Sequence, residues 1–552
     1  MVLNTMIRIK NSAAIIIAAL TAIGLTQEND TILFMATAGM ASAIIIAVFS
    51  PWLGMLTLFP LALALPPAPA TVGLQEFSFA VLLAVITTGT FIECLRSPAA
   101  RPHLKLWGLT ILAVSTAITI NLTVALNNNI PLRDWTRGTI PFLFMLNFLP
   151  VTVLLGKDGN RIRWIGISIA TSIFMLAGFI IFYYFHSDLW RPYWLLSVDD
   201  QALRIPEAVA SEYADAIGPM RDRITMSIAQ ATDALLPVGL VIGVTLASLA
   251  QPKAAATTGL LMALSCMIAI LITFTRSMLL SSLLAMFIFL VYLIVYRKKV
   301  LPKFITILTT LSATGLIFIY STGIQDIWIG RMSQLIALPT SALNVTPVDT
   351  IVSPDALIST TALSTLEQNI STETTPNDTS TFEAPPAPDN YRPIQPEVFS
   401  DNKTTKDFNI SARMDEYKIA WEMFVPHPIM GNGLGVKHEM RWETSDNVSE
   451  AKQVAYVHNW PFYMLMVGGL SGLLVYSALL FGPVIFRLSS IRSEPIHWTL
   501  IRMAILTMAI YGAFFAVFRL ITFNLLLAVI WGILVTQVLI DRQKNKSEIE
   551  NT

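Results

Sequence analysis

Four arginines and one histidine stand where their side chains call for a chemical explanation. Arg276 lies in Thr273-Phe274-Thr275-Arg276-Ser277, between two apolar runs with almost no polar loop. A guanidinium there is expensive to bury without an anionic partner. It offers a planar fork of donors that matches phosphate oxygens, and it cannot be neutralised by losing a proton. Those properties suit a diphosphate clamp; the competing reading is a turn residue that snorkels to lipid headgroups. Arg221 and Arg223 precede a later apolar run, in Pro219-Met220-Arg221-Asp222-Arg223-Ile224-Thr225, and Asp222 is available to pair with either. Arg519, between the last two apolar runs, is a further unexpected cation or else a turn anchor. His458, in Val457-His458-Asn459-Trp460-Pro461, stands where a polar segment gives way to an apolar run. An imidazole at such an entrance can act as a general base near neutral pH, or simply pack at the interface.

These residues are embedded in a very apolar chain. Of 552 residues, 54% are hydrophobic and 13% charged, against about 25% charged in a typical soluble protein. The apolar residues gather in runs long enough to cross a hydrocarbon layer about 30 Å thick. Repeated runs of that kind predict a helical bundle, because a helix satisfies its own backbone polar groups in lipid. The expected spans are 13–26, 31–49, 52–66, 76–93, 106–126, 138–155, 162–185, 231–250, 257–275, 277–296, 303–321, 459–486, 500–518 and 520–540. The fold class is therefore an all-α polytopic membrane protein with about 12–14 transmembrane helices. Pro60, Pro66 and Pro67 interrupt the third run, which reads as broken or re-entrant. The first run lacks a small-residue cleavage site and reads as a retained span. Cys94 and Cys266 fall in or beside apolar runs and read as packing residues.

Basic residues assign the orientation. Arg8 and Lys10, then Arg96, Arg101 and Lys105, then Lys157, Arg161 and Arg163, then Arg297, Lys298, Lys299 and Lys303, then Arg487 and Arg492, and last Arg542, Lys544 and Lys546 all share one side if the spans alternate. The positive-inside rule makes that side the cytoplasm and puts both termini there. Arg276, Arg221, Arg223, Arg519 and His458 then face the periplasm of a bacterial inner membrane.

The same topology divides the chain into an N-terminal bundle at 1–321, a large periplasmic loop at 322–457, and C-terminal helices with a cytoplasmic tail at 458–552. A shorter periplasmic segment runs from His186 to Gln230. Within the large loop, 339–406 is rich in Ser, Thr, Pro and Asp and reads as a flexible insertion. Residues 412–435 read as an amphipathic helix over the membrane surface, stopped by Pro426 and Pro428, and then a turn. Gly431, Gly433 and Gly435 in that turn let backbone approach a partner closely. No H-E-x-x-H, C-x-x-C, Walker A or G-x-S-x-G pattern stands out, so metal, thiol and ATP chemistry find no support. Zero formal net charge gives no sign of nucleic-acid binding.

Arg413-x-x-x-Tyr417-x-x-Ala420-Trp421-x-Met423, followed by Pro428-x-x-Gly431-x-Gly433-x-Gly435, resembles the periplasmic-loop signature of the O-antigen ligase superfamily. His458-Asn459 followed by Gly468-Gly469-Leu470-Ser471-Gly472-Leu473 is similar to it as well, and Thr275-Arg276-Ser277 resembles the family's arginine-containing segment. Arg223 is the best match to the family's other phosphate-side arginine. The resemblance spans about residues 219 to 475 and does not separate the family's members. It implies a GT-C-like membrane fold and an inverting, metal-independent glycosyltransferase without a cofactor. Its partners would be an undecaprenyl-diphosphate-linked glycan donor, a glycolipid or glycan acceptor, and membrane lipids. His458, Arg276 and Arg223 would be catalytic, with Arg221, Arg413, Trp421, Asn459 and Arg519 binding substrate. The long insertion and the extra spans depart from the family pattern and put the acceptor in question. A ligase joining O-antigen to lipid A–core is expected first, and an O-antigen or exopolysaccharide polymerase second. A transporter of lipid-linked sugars would carry its charges near the midplane within broken helices, whereas these cations gather near one face. A purely structural scaffold leaves the arginines on that face unexplained.

Overall fold

The computed structural model describes residues 2–25, 30–65, 74–97, 100–185, 233–273, 275–325, 328–329, 405–443, 449–485 and 495–550. Arg221, Arg223 and nearly all of the 339–406 segment lie outside the described residues.

The helices are α1 (Val2–Leu25), α2 (Asp30–Phe49), α3 (Pro51–Ala62), α4 (Leu74–Arg96), α5 (Pro102–Asn127), α6 (Leu132–Leu143), α7 (Phe148–Leu155) and α8 (Asn160–Phe185). They continue as α9 (Leu235–Leu249), α10 (Lys253–Thr273), α11 (Arg276–Tyr296), α12 (Leu301–Ser321), α13 (Thr405–Phe424), α14 (Trp460–Ile485), α15 (Ile496–Gly512) and α16 (Ile521–Glu550). Among the described residues, 11 helical stretches are long and apolar enough to cross a membrane, and three shorter apolar helices, α3, α9 and α15, accompany them. The stretch Leu132–Leu155 is one of the 11, with α6 and α7 joined by a 3-10 turn at Phe144–Asn147. These elements coincide one for one with the apolar runs of the sequence.

The three short helices form the middle of the bundle. Nearly every side chain of α3 and α9 is buried, as are most of α15, which is what a helix apolar on all sides requires. At 1.5 Å per residue, such a helix spans only about 22 Å. Among the described residues, 63–65 after α3 and 513–515 after α15 continue as non-helical backbone, where neighbouring chain can satisfy it. Hence the runs at 52–66, 231–250 and 500–518 overstate helix length. The run at 500–518 holds α15, a turn, and a 3-10 helix at Ala516–Arg519. By contrast α5 turns Leu109 and Leu112 outward, as a helix at the lipid boundary does.

Side-chain contacts identify the two ends of the bundle. Lys157 contacts Glu93, the Arg161 guanidinium lies 4.8 Å over the Trp52 ring, and the Trp52 indole N–H donates to Asn11 at 3.2 Å. The connections before α5 and α8 and the start of α1 therefore share one end. The stretch Leu132–Leu155 leads from there to the other end, where Asn128 donates to the Asn432 carbonyl at 3.0 Å.

Two differences from expectation stand out. The helix α13 begins at Thr405 rather than near 412, and it buries Glu416, Ala420 and Phe424 and packs against α14. An antiparallel pair, β1 (His438–Glu443) and β2 (Ser449–Val454), follows the glycine turn, with His438 opposite Val454. The two strands are neighbours in the sequence, and their charged residues let them pass for part of a polar loop.

Candidate functional site

The segment 427–436 is fastened to the bundle by its glycines. Gly431, Gly433 and Gly435 have φ of 66°, 96° and 83°, a region that side chains with a Cβ rarely adopt. A Cβ on Gly435 would stand 2.4 Å from the Asp134 carbonyl oxygen, one on Gly433 2.7 Å from the Ala125 Cα, and one on Gly431 2.5 Å from the Gly469 nitrogen. The last approach explains a break in α14, where Gly469 has φ 61° and ψ −156°. The amides released there turn to the loop: Leu470 donates to the Pro428 carbonyl at 2.8 Å and Ser471 to the Ile429 carbonyl at 3.1 Å. In return Asn432 donates to the Met466 carbonyl at 3.0 Å and Gly433 to that of Val467 at 2.9 Å. The kink thus leaves these buried backbone groups paired. Lys437 meets Asp134 at 2.8 Å. The turn is a rivet between α5, α6 and α14.

That rivet holds the end of α13 and the start of α14 together, and the polar residues meet between them. His458 directs Nδ1 at Glu416, 2.8 Å from Oε1 and 3.0 Å from Oε2. The His458 amide approaches the same carboxylate at 3.4 Å, and Arg413, one turn earlier on α13, reaches its Oε2 at 3.1 Å. Glu416 is only 1% exposed. Burial pushes its carboxyl up to about 7, against the opposing pull of Arg413. Tyr456 and Phe515 stand edge-on to the His458 ring with centroids at 5.0 and 5.5 Å. The Arg519 guanidinium lies over the outer ring, 5.5 Å from the Tyr456 centroid, a cation–π arrangement. Among the described residues its Nε is buried without a hydrogen-bond acceptor. Burial also raises the Tyr456 phenol above its ordinary range, so that ring stays neutral beside the cation.

Asn459 joins the ends of two helices. Its side-chain oxygen accepts from the Phe462 amide at 3.1 Å and its amide group donates to the Ala513 carbonyl at 3.0 Å. The first contact is an N-cap on α14; the second ties that cap to the end of α15. Tyr417 hydrogen-bonds Asn459 and stacks on Phe462 at 5.0 Å. Trp421 is half exposed on the outer side of α13, its ring against Phe424, away from His458.

Arg276 opens α11 directly after the extended Thr275. It belongs to the same end of the bundle. On α9 and α10, Gly239 faces Cys266, Gly243 faces Ala263 and Ala247 faces Gly259, so Thr273 and Arg276 lie toward the start of α9. There Asp233, fully buried, accepts from the Thr522 hydroxyl at the start of α16 and from the Leu235 amide. The turn between α15 and α16 carries Phe515 and Arg519. Among the residues expected from the sequence, the structure links Arg413 to His458 through Glu416 and Arg519 to His458 through Tyr456, sets Asn459 beside them, and puts Arg276 at the same end.

Glu416 and Asp233 were not singled out by sequence. A glutamate in the charged stretch Arg413-Met414-Asp415-Glu416 reads as solvated, and only its packing against α14 reveals it as buried.

The fold and this array of cations, carboxylate and imidazole at one end define a multi-pass membrane protein with a built polar site. Residues 260–477 match the family model described as O-Antigen ligase, so this part of the chain is similar to that family. The match includes Arg276, Arg413, Glu416, His458 and Asn459 and ends before Arg519. No curated protein matches the chain.

Proposed function

We propose that the protein transfers a glycan from undecaprenyl diphosphate to an acceptor at the periplasmic face of the bacterial inner membrane, the acceptor being lipid A–core. One observation carries this reading: an imidazole held by a buried carboxylate shares one end of a lipid-facing bundle with Arg413, Arg519 and Arg276. Both parts of a glycosyl transfer from a diphosphate are then represented, a base for the acceptor and cations for the leaving group. The positive-inside rule supports the periplasmic orientation.

The donor carries its activation in the sugar–diphosphate bond, so no nucleotide is required. His458 takes the proton of an acceptor hydroxyl as that oxygen bonds to the anomeric carbon. The bond from that carbon to the diphosphate breaks, and its electron pair leaves with the diphosphate. Arg276 and Arg223 stabilise the developing charge; a fixed cation is most effective where it acts more strongly on the transition state than on the ground state. Arg221, Arg413 and Arg519 add positive potential for the polyanionic donor, and the apolar bundle accommodates the polyprenyl tail. Because guanidinium groups neutralise the leaving group, a chelator is expected to leave turnover unchanged.

A strain lacking the protein tests the reading through its lipopolysaccharide banding. Loss of all long chains with accumulation of lipid-linked polymer is the expected result. A single capped repeat would replace the ligase with a polymerase, the reading that the unusual insertion keeps in view. An unchanged pattern would overturn the O-antigen assignment.

A further inference from the structure

We infer that Glu416 is the positioning residue through which His458 works, holding the imidazole by Nδ1 and stabilising it when Nε2 takes the acceptor proton. This rests on the reading of His458 as general base. Glutamate is almost never fully buried unless it is paired, and here the carboxylate engages both the ring and the backbone amide of the same histidine. A carboxylate on Nδ1 selects the Nδ1–H tautomer and leaves the lone pair on Nε2. Among the described residues Nε2 has no hydrogen-bond partner, and the edge-on rings of Tyr456 and Phe515 confine the imidazole between them. Every component for presenting one nitrogen to an incoming hydroxyl is therefore in place. A hydrophobic residue of similar volume would dock α13 on α14 with no need to desolvate a charge.

During transfer the hydroxyl proton moves to Nε2, and the Nδ1 proton stays in its bond to Glu416. The imidazolium is then balanced by the carboxylate until the proton leaves to solvent. The ionisable groups around Glu416 are His458, Arg413 on its own helix, Tyr417 beside it, and Tyr456 with Arg519 over its ring. Glu416 serves in this way only when ionised. With its carboxyl raised to about 7, the rate is expected to rise with pH through that value and to fall below it as the carboxyl takes a proton.

The experiment measures kcat, KM and the pH profile of purified full-length protein with lipid-linked donor and acceptor, for wild type, Glu416→Gln, His458→Ala and the double variant. Glutamine keeps the shape and removes the charge. Glu416→Gln is expected to lower kcat by about a hundredfold, within the range that a positioned general base contributes, with KM little changed and the acidic limb near pH 7 abolished. On the His458→Ala background the same change is expected to add less than about twofold, as for residues that act as a unit. Arg413→Gln, which leaves Glu416 unchanged, is expected to move the acidic limb to higher pH. Should Glu416→Gln fold poorly, Glu416→Asp supplies the charge at a shorter reach and is expected to keep the limb with reduced kcat. A multiplicative loss in the double variant would make Glu416 a merely structural residue and overturn the inference. So would a wild-type profile for Glu416→Gln alongside an inactive His458→Ala. Normal kcat for His458→Ala would instead overturn the base assignment beneath it.

Discussion

Arg276 and Arg519 were legible because each breaks an apolar pattern, and a residue that violates the hydropathy around it needs a reason. The violation does not say what the residue meets. Arg519 meets the face of Tyr456, and among the described residues its Nε is buried without an acceptor. Arg519→Lys keeps the charge but loses the planar fork, and the expected outcome is a rise of about tenfold in the KM for donor with a smaller change in kcat. Arg276→Ala removes a cation assigned to the leaving group. Its expected cost is about 10²- to 10³-fold in kcat, the scale for losing one fixed electrostatic donor, with membrane level unchanged on immunoblots. Wild-type turnover would remove Arg276 from the mechanism. His458 was legible from its place at a membrane entrance, whereas Glu416 was hidden by its charged neighbours. The contacts of Asn459 were equally hidden: its side chain caps α14 and holds the Ala513 carbonyl.

At the scale of elements, hydrophobic runs located the helices because each span must cover its own length in lipid. They misjudged α3, α9 and α15 because buried coil is as apolar as buried helix. The glycine turn was legible from its spacing, and its partners were not. Gly435→Ala combines a positive φ with a Cβ 2.4 Å from backbone, which neither a side-chain shift nor a rotamer change can relieve. Such a change is expected to cost more than about 2 kcal/mol. It should lower the detergent melting temperature by several degrees or abolish folded yield. Gly178, in α8, has nothing within 4 Å of its Cβ position; Gly178→Ala is expected to be neutral or stabilising by up to about 1 kcal/mol. Equal melting temperatures for the two variants would contradict the riveted turn.

For the whole molecule, the alternation of spans turns the site into a topological statement. Lys298 and Lys299 are exposed at one end of α11 and Arg276 opens the other. Cys94 and Cys266 are buried and unpaired, so they should contribute little background to thiol labelling. Lys298→Cys is expected to label with an impermeant maleimide only after the inner membrane is opened, and His427→Cys, exposed beside the glycine turn, in intact spheroplasts. Labelling of both from the same side would break the alternation from which the periplasmic site follows.

The central claim is that this bundle breaks a polyprenyl diphosphate–sugar bond. It is tested most directly by incubating the purified protein with an undecaprenyl-diphosphate-linked glycan and lipid A–core, then following released undecaprenyl diphosphate and glycosylated acceptor together. The account predicts that both products form in equal amounts with wild-type protein, and that both fall at least a hundredfold with Arg276→Ala. Donor left intact by folded wild-type protein, or release that is indifferent to Arg276, would contradict it.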